Sequence, residues 1–95
     1  MEFKQLEMFV AVAKERSVIR AAEKVFRTQP AVSMALAKLE QEIGSCLFHR
    51  SRERRFELTR AGELLHEYAQ RMLALRAEAE ELLAKRSVAC LRVRA

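Results

Sequence analysis

Apolar residues recur at three- and four-residue steps along most of the chain. Between positions 2 and 16, Phe3, Leu6, Phe9, Val10 and Ala13 share one side while Lys4, Gln5, Glu7, Lys14 and Glu15 face elsewhere, which predicts an amphipathic helix. Ser17 then offers an N-cap hydroxyl to a short second helix, VIRAAEKVF, whose inner side is Ala21, Ala22 and Val25. Those small alanines permit a close helix crossing. A third helix is expected over about 29–43, with Thr28 as N-cap, Pro30 in the first turn and Gly44 at the C-terminal left-handed position. Its buried side would be Val32, Leu36, Leu39 and Ile43.

Over 45–57 the periodicity lapses. Leu47 and Phe48 form an apolar anchor, followed by a charge-dense stretch that reads as a short two-stranded hairpin. From Thr59 to about Arg86 no proline interrupts a long helix. Within it Ala61, Leu65, Tyr68, Met72, Leu75, Ala79 and Leu82 fall at alternating steps of four and three, a heptad seam. Such a helix is about 40 Å long, more than a domain this small covers, so a second copy of the helix is the expected partner. The last residues, SVACLRVRA, turn β-branched and nearly alternating, as at the start of a strand whose partner lies outside this chain.

Composition narrows the class. The 95 residues hold 18 Lys and Arg against 13 acidic residues, all Glu, for a net charge of +5, with two Gly and one Pro. That length fits one small domain, or one with an appendage. Cys46 and Cys90 are too few for a zinc knuckle or disulfide scaffold, and His49 and His66 have no second ligand at metal spacing, so no metal site is expected. Neither a signal peptide nor a bilayer-spanning run is present, and the cytoplasm is the default compartment. With no Asp, no nucleophile motif and no Gly-rich phosphate loop, the residues do not suggest an enzyme.

Two short helices joined by a tight turn, the second one capped, form a helix-turn-helix, spanning about 18–37. The N-terminal turns of its second helix can enter a major groove, where each base pair displays a distinct pattern of donors, acceptors and methyl groups. Away from its buried side the third helix carries Gln29, Ser33, Met34 and Lys38. Gln pairs with adenine, Ser adapts, and Met contacts only apolar features such as a thymine methyl. Arg20, Lys24 and Arg27 lie near enough in sequence to hold phosphates. Residues 50–55, RSRERR, carry four Arg and one Glu and so concentrate three of the five net charges. Beside a recognition helix that suits a wing, about 47–58, with Arg50 on phosphate and Arg52, Arg54 and Arg55 available to a narrow minor groove.

The run from Ala21 to Gly62, AAEKVFRTQPAVSMALAKLEQEIGSCLFHRSRERRFELTRAG, resembles the winged helix-turn-helix of LysR-type transcriptional regulators, with AA, Q-P-A-V-S, L-E, I-G, L-F-x-R and L-T-x-A-G in order. The resemblance implies a mostly α fold of three helices and a short β wing over 1–59, a linker helix over 60–87 that dimerises antiparallel, and over 88–95 the first strand of an effector-binding domain beyond this chain. It implies that Gln29, Pro30, Ser33 and Met34 face bases, that Thr28 and Lys38 lie near phosphates, and that a wing Arg enters the minor groove. It also implies a homodimer on an interrupted palindrome of double-stranded DNA, a higher oligomer for the full protein, no cofactor in this piece, and a small-molecule effector for the missing domain. Three positions depart from the pattern. Met34 stands where a polar or basic residue is frequent, Ile19 where a small hydroxyl residue is usual, and the stretch between Arg50 and Leu58 is one residue longer. Rival readings are a coiled-coil interaction module with incidental charge and, more weakly, a membrane-surface helix, which Glu67, Glu78, Glu80 and Glu81 oppose.

Overall fold

The computed structural model describes the backbone of residues 1–94 and the side chains of residues 1–86. Four helices follow one another: α1 (Phe3–Glu15), α2 (Val18–Val25), α3 (Gln29–Ile43) and α4 (Arg60–Arg94). Their ends are set by local chemistry. Ser17 Oγ accepts the Arg20 N–H at 3.2 Å, and Thr28 Oγ1 accepts the Ala31 N–H at 3.2 Å. Each such cap is worth about 1 kcal/mol. Pro30 sits in the first turn of α3, and Gly44, at φ 80°, ends that helix with its N–H on the Glu40 carbonyl at 2.8 Å. Thr59 starts α4: its hydroxyl accepts the Gly62 N–H at 3.1 Å and donates to the Cys46 carbonyl at 2.6 Å.

The core gathers Leu6, Phe9, Val10 and Val12 of α1, Ala21 and Ala22 of α2, Val32, Leu36 and Leu39 of α3, then Leu47, Phe48 and Ala69. Phe9 is its hub. Its ring lies 5.5 Å from that of Phe48 and 6.1 Å, edge-on, from that of His66. The periodicity of α1 misplaces three positions: Phe3 is exposed, while Val12 and Gln5 are buried. The reason is that α1 packs against α2, α3 and α4 together, so the arc it buries is wider than one stripe. Ile43, expected inside, is exposed in the last turn of α3.

Two expectations are corrected. The wing is not a regular two-stranded hairpin but a loop closed by isolated bridges, Phe48 with Leu58 and His49 with Arg55. Backbone bonds from His49 N–H to the Glu57 carbonyl at 2.9 Å and from Thr59 N–H to the Leu47 carbonyl at 3.0 Å hold its base. Above them two successive turns, Ser51 to Arg54 and Arg54 to Glu57, use up the residues that a ladder would need. At the other end, 88–94 are not a strand, because α4 runs on to Arg94. A strand leaves its N–H and C=O groups unpaired without a neighbour, whereas a helix satisfies them within itself. Residue 95 lies outside the described residues.

The heptad seam of α4 divides between two surroundings. Ala61, Leu65 and Met72 pack against the core, with Ala69 fully inside and Leu73 beside them. Tyr68, Leu75, Ala79 and Leu82 are exposed and line up with Leu64. Gly62 is where α4 comes closest to the wing base, since a Cβ there would stand 2.1 Å from the Leu47 carbonyl oxygen.

Candidate nucleic-acid interface

The turn between α2 and α3 is tight because Phe26 takes the left-handed conformation, φ 56° and ψ 46°. This places the Arg27 N–H on the Ala22 carbonyl at 2.9 Å. A bulky aromatic residue seldom adopts this backbone, and here the residue is 93% exposed. Thr28 follows at once, so the turn delivers the N-terminus of α3, with its free N–H groups and positive dipole end, to the surface. Thr28 Oγ1 accepts the capping bond and keeps its own proton to donate.

Gln29, Pro30, Ser33, Met34 and Lys38 are all exposed, on the side of α3 turned away from Val32, Leu36 and Leu39. Arg20 on α2 and Arg27 in the turn are exposed as well, and with Lys38 they form no ion pair among the described residues. The residues expected at bases and phosphates thus stand exposed on α2, the turn and α3, with Lys38 in the third turn of α3 rather than at its N-terminus.

Between α3 and the wing lies a cleft of about 380 Å³ whose walls include Ser33, Ala37, His49, Arg52, Arg55 and Phe56. The four wing arginines have different neighbours. Arg50, expected on phosphate, gives a guanidinium nitrogen to Glu40 and lies near Cys46 Sγ at 3.9 Å. Arg54 pairs with Glu57 at 2.9 Å, holding that carboxyl below its usual pKa. Arg55 lies 5.1 Å over the Phe56 ring. Among the described residues Arg52 alone of the four has no ion pair or ring contact.

Glu40 was not among the residues singled out by sequence, yet it joins the two halves of this surface. One oxygen accepts the Leu47 N–H at 2.7 Å and the other meets Arg50, with the side chain only 12% exposed. A carboxylate on a basic face was the only available signal, and spacing alone does not show that Leu47 returns to it. Arg76 was also missed. It reaches across from α4 to α1, donating to Glu7 Oε1 at 3.2 Å with its guanidinium 4.9 Å over the Phe3 ring.

Three helices, a capped recognition helix and an arginine-bearing wing define a winged helix-turn-helix. Residues 3–63 match the family of bacterial regulatory helix-turn-helix proteins of lysR type, and the chain belongs to that family. Among relatives, it is 47% identical over 75 residues to the HTH-type transcriptional regulator BudR of Klebsiella aerogenes, covering 79% of this chain and 52% of BudR. It is 42% identical over 81 residues to the regulator CfxR of Cupriavidus necator, covering 85% of this chain and 25% of CfxR. The chain thus spans about half or less of these relatives. Its backbone is similar to that of the BenM DNA-binding domain in complex with benA site 1 DNA, at 32% identity and a TM-score of 0.82 over 90% of this chain and 94% of that one. It is equally similar to the CbnR DNA-binding domain in its DNA complex, at 34% identity and a TM-score of 0.82 over 92% and 99%.

Proposed function

We propose that this chain is a sequence-specific binder of double-stranded DNA that works as a homodimer within a longer transcriptional regulator. The observation that carries the reading is the exposed N-terminal half of α3, where Gln29, Pro30, Ser33 and Met34 stand free beside a cleft walled by Arg52 and Arg55. α3 enters the major groove, with Thr28, Arg20, Arg27 and Lys38 holding the phosphates on either side. Arg52 enters the adjacent minor groove, because its guanidinium has no ion pair or ring contact among the described residues to give up. Arg50 braces Glu40 and reaches phosphate only with its remaining donors.

The exposed line Leu64, Tyr68, Leu75, Ala79 and Leu82 on α4 meets the same line of a second copy, which sets two recognition helices on an interrupted palindrome. A further domain of the longer protein takes the small-molecule effector and extends the oligomer, and the assembly acts on the nucleoid in the cytoplasm. No described helix is long and apolar enough to cross a membrane, and the role is binding rather than catalysis.

Selection of bound sequences from a random duplex library tests the DNA reading. A recovered motif with two inverted halves supports it, and failure to shift any duplex at low salt replaces it with a coiled-coil interaction module. Sedimentation tests the dimer: monomer alone at tens of micromolar removes it.

A further inference from the structure

One line along the outer side of the recognition helix is apolar over its first turns. At about 100° per residue, Pro30, Met34 and Ala37 fall in one line on α3, at steps of four and three. That line lies opposite the core residues Val32, Leu36 and Leu39, so no part of the head covers it. Met34 projects from its middle and is 72% exposed. Up to Ala37 the polar residues flank the line, and Gln41 then continues it toward the far end of α3. Ser33 lies on the cleft side toward the wing, and Lys38 lies on the other. A helix seated in the major groove presents this central line to the groove floor. There the only apolar feature is the C5-methyl group of thymine, and a thioether offers no strong donor or acceptor for any other base edge.

We propose that Met34 makes this helix a reader of C5-methyl groups, so that each half-site holds a thymine beneath Met34 whose methyl, not its hydrogen-bonding edge, is recognised. The inference rests on the DNA-binding reading above and deepens it. It carries a consequence for modified DNA: a cytosine at that place binds poorly, and its 5-methyl form recovers the methyl contribution.

The test uses the duplex recovered by selection and replaces its thymines one at a time with deoxyuridine, which removes only the methyl group. One position in each half-site should lose about fourfold in affinity, the equivalent of one methyl group taken out of contact. With Met34→Ala, whose side chain lies outside the core, the same swap should cost nothing further. Placing cytosine and then 5-methylcytosine at that position should show the same factor between the two. Swaps that each cost less than twofold overturn the inference, as does a full uracil penalty that persists in Met34→Ala. Absence of binding to any duplex overturns the DNA-binding reading itself, so the two failures are distinct.

Discussion

The Glu40 carboxylate accepts the backbone N–H of Leu47 at 2.7 Å, so the recognition helix and the first residue of the wing share a single charged hydrogen bond. Bonds of this kind contribute about 1.5–3 kcal/mol when one partner is ionised and largely enclosed. Glu40→Ala should lower the unfolding free energy by about that amount. Chemical denaturation measures the loss, and a change below about 0.5 kcal/mol, the size of an ordinary surface substitution, would remove the brace.

Gly62 serves close approach rather than an unusual backbone angle, since a Cβ would meet the Leu47 carbonyl oxygen at 2.1 Å and Leu58 Cδ2 at 3.0 Å. The first of these is main chain and does not swing aside. Gly62→Ala should therefore cost more than about 3 kcal/mol, although alanine is the better helix former. A circular-dichroism melt unchanged from the parent would show that α4 can slide away from the wing base.

The wing arginines should not contribute equally to binding. Arg52→Ala removes a guanidinium with no ion pair or ring contact among the described residues, whereas Arg54→Ala also releases Glu57 from its ion pair. Replacing Arg52, Arg54 and Arg55 together should flatten the log–log salt dependence of DNA affinity by up to about 0.9 per lost phosphate contact. Within the set, Arg52→Ala should weaken binding most. Equal effects from the three single variants, or an unchanged salt slope, would count against the wing as a DNA contact.

His66 packs edge-on to Phe9, and its Nε2 is buried with no hydrogen-bond partner among the described residues. Burial, and then the nearby charge of Lys14, pushes the imidazole below its ordinary value of 6.5. The folded state thus favours the neutral ring. Stability is fully present above pH 6.5 and is lost as pH falls through that value toward the lower folded one. Melting temperature followed from pH 8 to 5 should decline in the parent more than in His66→Phe, and parallel curves would assign the decline to other groups.

Leu75 and Leu82 are exposed on the far half of α4 and lie beyond the core. Introducing Glu at both should leave the thermal melt of the head unchanged while shifting sedimentation toward monomer. Persistence of the dimer would place the contact elsewhere.

Element ends were the most legible part of this chain, because a cap is decided by neighbours in sequence. Ser17, Thr28 and Gly44 stand where a hydroxyl or a left-handed residue was wanted, and α3 begins and ends as the pattern placed it. What two surfaces compete for was less legible. Periodicity grouped Leu65 with Tyr68, but only the position of α1 decides that Leu65 turns inward while Tyr68 and Leu64 stay outside. The charge of the wing was plain from RSRERR. Its division into paired and unpaired guanidinium groups was not, because the partners Glu40 and Phe56 are selected by two turns with no fixed spacing. The strand expected over 88–94 failed for a related reason: alternation marks residues able to pair, not the presence of a neighbour to pair with.

Arg76, stacked on Phe3 and bonded to Glu7, is the far end of the grip that α1 keeps on α4. Past it the helix continues to Arg94, a further stretch of about 27 Å. Such a rod is a lever arm with its fulcrum at three side chains. A tilt of about 10° at the fulcrum carries the tip through about 5 Å, more than the rise of about 3.4 Å between successive base pairs. Any change in how this cation, ring and carboxylate meet is thus magnified at the tip to the scale of a base-pair step.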